Sequence, residues 1–180
     1  MNYKNSRFIE AVKTNNFQQV KECIEEGIDI HADKDYALRY AAERGHFDMV
    51  KYLVENGADI HACYDAAFRF SAENNHLNVV KYLVENGADI HNDDNNVIRL
   101  AAEYGYFEIV KYLMEKGTYN YADNNCILEY AIEFKHFDII RYLIPLYSKS
   151  ELKELFLKIN NFCVKCLILE RLYNGSFCCN

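Results

Sequence analysis

The residues best suited to chemistry in this chain are cysteines near its C-terminal end. Cys163 and Cys166 form a C-x-x-C pair, a spacing found in zinc sites and in redox-active dithiols. A four-cysteine zinc site needs a second pair, and the other close pair, Cys178 and Cys179, is adjacent in sequence. The first pair also lies within FCVKCLILERL, which reads as helix. We therefore interpret these cysteines as small apolar residues that pack a C-terminal cap, with zinc binding as the less favoured alternative.

Histidines recur in two columns that could supply metal ligands. One column closes a GADIH-type turn and the other follows a helix. The members are His31, His61 and His91 in the first column and His46, His76 and His136 in the second. A zinc ligand must lie within about 2.1 Å of the ion, whereas packed helices are about 8–10 Å apart. We therefore expect turn histidines that bond to the backbone, with no metal and no other cofactor. A role in pH sensing is the alternative.

The remaining composition disfavours catalysis and several classes of partner. The few serines are scattered, and no glycine-rich phosphate loop is present, so we predict a non-enzymatic protein without catalytic residues. A net charge of −7 disfavours nucleic-acid binding, which needs basic side chains. No run of 18 apolar residues occurs, and the N-terminus lacks the apolar core of a secretory signal. We therefore expect no membrane partner, no secretion and a cytoplasmic location with reduced thiols.

The strongest pattern in the chain is an internal repeat with a period of 30 residues. The stretch KYLVENGADIH occupies residues 51–61 and recurs without change at 81–91. A period of this size predicts stacked supersecondary units. We divide the chain into five units, a pair of degenerate C-terminal capping helices and a tail. Their bounds are 1–30, 31–60, 61–90, 91–120 and 121–150 for the units, 151–173 for the cap and 174–180 for the tail.

Each unit reads as two helices. In the second unit Leu38, Ala41 and Ala42 fall on one face of a first helix, which Gly45 ends. A second helix runs from about residue 47 to residue 56 and ends at Gly57. The helix-ending glycine is replaced by Lys135 in the fifth unit, which forces a side chain into a backbone conformation that favours glycine.

One polar position precedes every first helix and predicts its N-cap. Side chains of Asp and Asn accept hydrogen bonds from the first free amides of a helix. The predicted caps of the first to fifth units are Asn5, Asp35, Asp65, Asn95 and Asn125.

Charged residues recur on the first helices at a spacing of four. Arg39, Arg69 and Arg99 precede Glu43, Glu73 and Glu103, which predicts a solvated ladder of ion pairs. In the fifth unit the pair becomes Glu129 and Glu133. These two like charges leave local acidity that a basic partner could use.

Residues 41–50, together with GADI at 57–60, resemble an ankyrin repeat, whose pattern is TPLHxAAxxGHxxVVxxLLxxGADxN in units of about 33 residues. The resemblance covers roughly 1–150 and implies an all-α solenoid of stacked helix-turn-helix units. The units are about three residues shorter than those of the family, and the deficit lies between Ile60 and Phe68. We therefore expect the family's β-hairpin finger to be reduced to a plain turn. The shortened unit resembles the ankyrin repeats of giant DNA viruses of amoebae, and the abundance of residues with AT-rich codons agrees.

The resemblance implies a binding module that contacts a protein partner, from the host or the virus, through a concave face. Candidate contacts are positions that vary while their neighbours repeat. They are Arg44, Asn74, Tyr104 and Phe134 after the first helices, and Lys34, Tyr64, Asp94 and Asn124 in the turns. Exposed aromatic residues among them are typical of interface hot spots. We expect a monomer. The alternative is a structural or decaying member of an expanded repeat family, without a specific partner.

Overall fold

The computed structural model describes residues 3–91, 97–117 and 121–173, with the backbone alone for 3–4 and 121–126. Twelve α-helices and no strand occupy these residues. The first helices of the five units are α1 (Tyr3–Lys13), α3 (Ala32–Glu43), α5 (Ala62–Glu73), α7 (Val97–Tyr104) and α9 (Tyr121–Glu133). The second helices are α2 (Phe17–Glu25), α4 (Phe47–Glu55), α6 (Leu77–Glu85), α8 (Phe107–Glu115) and α10 (Phe137–Leu143). A 3-10 turn (Ile144–Leu146) then leads to α11 (Lys149–Lys158) and α12 (Phe162–Leu172).

The helices form two layers that run along the molecule. Each first helix packs on the next, from α1 through α9, while α4, α6, α8 and α10 pack in the same order in the second layer. The core lies between the layers, where Ala41 and Ala42 are fully buried beside Leu38 and Leu53. Small side chains at the first-helix contacts allow close approach of neighbouring helices. The predicted all-α helical repeat solenoid is therefore confirmed.

The last two helices pack against the end of the solenoid. Helix α12 contacts α11 and the preceding 3-10 turn, and it buries Val164 and Ile168. Helix α11 begins with a capping box in which Ser148 and Glu151 satisfy each other's backbone amides. Leu157 and Phe162 remain exposed on this pair.

The turn that opens the first helix is left-handed in the second and third units. Asp33, Lys34 and Asp35 have φ values of 55°, 55° and 54°, and residues 63–65 repeat this conformation. A left-handed backbone costs an L-residue about 1–2 kcal/mol. Arg39 offsets part of this cost, because its Nε donates to the carbonyl of Lys34 at 3.0 Å and its Nη2 to that of Asp33 at 2.8 Å. The shortened turn is thus a strained turn that a side chain of its own helix supports.

These contacts correct the predicted ladder of ion pairs. The guanidinium of Arg39 is occupied by the turn, so the expected pair with Glu43 is wrong. The pair between Arg69 and Glu73 does form, with 3.9 Å between Nε and Oε1.

Asp35 and Asp65 do not cap their own helices, so the predicted N-caps are wrong at both positions. Both side chains are buried. Oδ1 of Asp35 lies 3.0 Å from Nδ1 of His31 and accepts a 2.8 Å bond from the amide of Asp59, which is 24 residues further on. Asp65 makes the same two contacts with His61 and with the amide of Asp89. Each carboxylate therefore ties one turn to the next turn in the stack. The predicted cap at Asn5 is also wrong, because Asn5 lies inside α1. Asn95 lies outside the described residues, as does the side chain of Asn125.

A second link joins neighbouring units at the opposite end of the first helix. Nε2 of His76 lies 3.0 Å from the carbonyl oxygen of Glu43, and Nε2 of His136 lies 2.8 Å from that of Glu103. Each ring covers the glycine that ends the preceding helix, so a Cβ at Gly45 or Gly105 would overlap the imidazole. These glycines therefore supply both a positive φ and space for the next unit.

We predict that Asp35→Ala lowers the free energy of unfolding by about 2 kcal/mol, because a hydrogen bond to a charged group contributes about 1.5–3 kcal/mol. Lys34→Ala is the matched control, since Lys34 is exposed in the same turn. Urea unfolding of both variants checks this. Equal losses in the two variants would show that the link between turns adds no stability.

We also predict that Lys135→Gly raises stability by about 1 kcal/mol, because Lys135 has a φ of 63°. Gly45→Ala should lower stability by more than that, since it adds both backbone strain and overlap with His76. Melting temperatures measure both effects. If His76→Ala does not reduce the loss caused by Gly45→Ala, the overlap is not its cause.

Candidate functional site

The structure places one row of the predicted contact positions at the ends of the first helices. We call Arg44, Asn74, Tyr104 and Phe134 the variable row. All four are exposed, with Tyr104 at 53% and Phe134 at 46%. They follow one another along the stack because each occupies the same place at the end of α3, α5, α7 or α9. The row therefore changes from charged and polar at one end to aromatic at the other.

The aromatic end of the variable row rests on a second layer of rings. The ring of Tyr104 lies 5.8 Å from that of Tyr106, and Phe134 stacks on His136 with 6.4 Å between centroids. His136 and Tyr106 are held in turn by bonds to the carbonyls of Glu103 and Glu73. The exposed rings are thus supported from below by groups that hold the units together.

The second row of predicted contacts lies at the other end of the first helices. Lys34 and Tyr64 occupy the left-handed turns and are exposed, Tyr64 at 72%. The regular helix of residues 36–43, at a rise of 1.5 Å per residue, separates Lys34 from Arg44 by at least about 12 Å. Asp94 and the side chain of Asn124 lie outside the described residues. The predicted positions therefore form two rows rather than one patch.

Arginine side chains of the first helices lie over neighbouring aromatic rings. Arg44 lies over the ring of Tyr40 at 5.3 Å, Arg69 over Phe70 at 5.2 Å and Arg99 over Tyr130 at 5.6 Å. Each distance is within the range of a cation–π contact.

The glutamates of the first helices stack along this face. Burial raises the pKa of Glu73, an effect that Arg69 opposes and Glu43 reinforces. The column thus brings carboxylates of successive units close enough to interact.

Sequence reasoning missed the half-buried rings of this face. Tyr40 and Arg44 are four residues apart on one helix, so their contact could have been found from spacing alone. The contact of Arg99 with Tyr130 joins two units, and it appears only once the stacking is known.

The histidines and cysteines do not converge on a metal. Within the ranges that the structure describes, no group of three His, Cys, Asp or Glu side chains could hold an ion. His31 and His61 bond to carboxylates, so the expected backbone bonds are wrong for them, whereas His76 and His136 do bond to backbone carbonyls. Cys163 is exposed, which contradicts its predicted packing in the cap.

His46 differs from the other histidines of its column. It lines an open groove of ≈ 680 Å³ with Asn15, Phe17 and Tyr52. Its Nδ1 is buried and has no hydrogen-bond partner among the described residues. The preceding unit has Asn15, not glycine, at the helix end, so a Cβ fills the space that Gly45 leaves for His76. Burial, and to a lesser extent Arg44 and His76, lowers the pKa of His46.

The helical repeats also match a known protein family. The family model for ankyrin repeats in three copies matches residues 8–94 and 68–154. These matches cover most of the chain, which therefore belongs to the ankyrin repeat family. Its members generally mediate protein–protein interactions and are generally not enzymes. A comparison with curated proteins gives no match. None of the helices in the described segments has the length and apolar character needed to span a bilayer.

We predict that His46 makes the protein less stable at acidic pH. The unfolded chain binds a proton near the ordinary histidine pKa of about 6.5, whereas the folded chain resists protonation because its His46 pKa is lowered. Stability should fall as the pH drops below about 6.5, and His46→Gln should make this fall shallower. Urea midpoints at neutral and mildly acidic pH test this; unchanged slopes in the variant would contradict it.

Proposed function

We propose that this protein is a non-enzymatic interaction module that binds a partner protein through the exposed face of its first helices. The observation that carries the proposal is the pair of exposed rings in the variable row, Tyr104 and Phe134, on a solenoid of the ankyrin family. Large aromatic side chains are enriched at interface hot spots, and rigid support reduces the entropy lost on binding. Tyr64 provides a further exposed ring in the second row of predicted contacts, in the left-handed turns.

The rings are supported while their surface is open, and this combination favours recognition over a purely structural role. A structural ring is expected to be covered, as Phe68 is. Tyr104 and Phe134 instead contact Tyr106 and His136 on one side and solvent on the other. Such an arrangement fixes ring position before a partner arrives.

We further propose an organisation and a setting for this module. The units are of the short, 30-residue type that resembles ankyrin repeats of giant DNA viruses of amoebae. They occupy 1–150, followed by a cap at 151–173 and a tail at 174–180. Two observations support the 30-residue unit. The first helices α3 and α5 begin 30 residues apart, at residues 32 and 62, and left-handed turns stand where the family has its β-hairpin finger. The protein acts as a monomer in the cytoplasm, on a partner from the host or the virus, and binds neither nucleic acid nor membrane.

The test is affinity capture with the full chain as bait, followed by mass spectrometry. The triple variant Tyr64→Ala, Tyr104→Ala and Phe134→Ala should lose the captured partner, because it removes the three exposed rings. A matched triple variant, Leu157→Ala, Phe162→Ala and Tyr173→Ala, removes exposed apolar side chains from the cap and should retain the partner.

Melting temperatures of both triple variants establish that they remain folded. Separate Tyr64→Ala and Tyr104→Ala variants then show which row carries the binding energy. Loss of the partner in the cap variant alone would contradict recognition by the first-helix face. The absence of any partner specific to the wild-type chain would favour a repeat protein without a specific partner.

A further inference from the structure

The first helices of the second and third units supply their own guanidinium groups. Arg39 lies over the ring of Tyr36 at 5.6 Å, and Arg44 lies over Tyr40 at 5.3 Å. In the third unit Arg69 lies over Phe70 and also approaches Glu73. Rings and carboxylates on this face are therefore arranged to accept guanidinium groups.

The fifth unit keeps the acceptors and lacks these cations. Glu129 stands where Arg39 and Arg69 stand, and Phe134 stands where Arg44 stands. Residues 31–45 contain three acidic and three basic residues, whereas residues 121–135 contain three acidic residues and one basic residue, Lys135. The segment of the fifth unit therefore has more acidic than basic side chains, whereas the numbers are equal in the second unit.

The carboxylates of Glu129 and Glu133 are accessible to a partner. Both are exposed, and neither forms an ion pair with any Lys, Arg or His among the described residues. Because they are four residues apart on α9, their charges repel each other. A cation placed between them would relieve that repulsion and gain two ionic contacts.

Aromatic surface lies next to these carboxylates. We call Tyr104, Glu129, Tyr130, Glu133 and Phe134 the acidic aromatic patch. Its α7 and α9 components are held together where His136 bonds to Glu103 and where Arg99 lies over Tyr130. The contact with Arg99 shows that a guanidinium fits against a ring here, while the ring of Phe134 is 46% exposed.

We propose, on the basis of the proposed function, that the acidic aromatic patch binds an arginine-bearing segment of the partner protein. The guanidinium lies over Phe134 and donates hydrogen bonds to Glu129 and Glu133. Arginine fits better than lysine, because its planar group both stacks on rings and donates in two directions. Phosphates of a nucleic acid would meet the carboxylates as like charges. A purely apolar segment would bury those carboxylates without partners.

The direct test uses a fluorescently labelled peptide of 12 residues with alternating arginine and glycine, and measures anisotropy against the wild-type protein. Otherwise identical peptides carry lysine or citrulline in place of arginine. The arginine peptide should bind with a Kd at least about threefold lower than the lysine peptide, and the citrulline peptide should not bind.

Two variants with the same change in net charge locate the site. Glu129→Arg restores the cation of the other units and should weaken binding of the arginine peptide about tenfold. Glu85→Arg changes an exposed residue at the end of α6 in the second layer, and it should leave the Kd within about twofold. Glu129→Arg should also remain as stable as the wild-type protein, since it removes a repulsion between like charges.

Three results would overturn the proposal: no binding of the arginine peptide, equal binding of the citrulline peptide, or equal loss in the two variants. The same variants in affinity capture separate this proposal from the broader one. A partner that depends on Tyr104 and Phe134 but is retained by Glu129→Arg would leave protein recognition in place and reject recognition of arginine.

Discussion

A buried carboxylate in the turns of the second and third units determines how each of these turns meets the next. Asp35 binds the imidazole of its own turn and the amide of Asp59 in the next turn, and Asp65 repeats the arrangement with Asp89. The carboxylates of Asp59 and Asp89 in turn accept bonds from the amides of His61 and His91. A continuous chain of polar contacts therefore runs from the turn at His31 to the turn at His91 and orders these turns without any strand pairing.

The left-handed turn depends on this chain of contacts. Three consecutive residues in that conformation are costly for L-amino acids, and local propensity alone would not maintain them. This cost is offset by the hydrogen bond from the backbone amide of the next turn to Asp35, and by the hydrogen bonds that the guanidinium of Arg39 donates to the turn. At the other end of the first helix, His76 and His136 lie over the glycines of the preceding unit. Helix α3 is thus fixed to the neighbouring unit at both of its ends, while α5 is fixed at its turn and α7 at its glycine, which places the variable row in line.

The sequence was most informative where structure is local. Apolar spacing and the glycines at 45 and 57 predicted both helices of the second unit to within a few residues, because a helical face and a positive φ leave clear local patterns. The sequence did not reveal the role of Asp35, because its hydrogen-bond partner lies 24 residues away. Nor did it predict the left-handed turn, which contains no glycine. The candidate site shows the same division. Exposure of Tyr64, Tyr104 and Phe134 was predicted and is confirmed, but the contact of Arg99 with Tyr130 depends on how the units stack.

The links between units also explain how such a chain can change in length. The turns of the second and third units each carry an acceptor for the amide of the turn that follows, and the histidine of one unit fits the glycine of the preceding unit at His76 and His136. A duplicated segment is therefore complementary to its own copy. Gene duplication or unequal recombination in steps of one unit yields a longer or shorter array that stacks without compensating substitutions. Selection is then left to act on the exposed positions, which each new copy is free to vary.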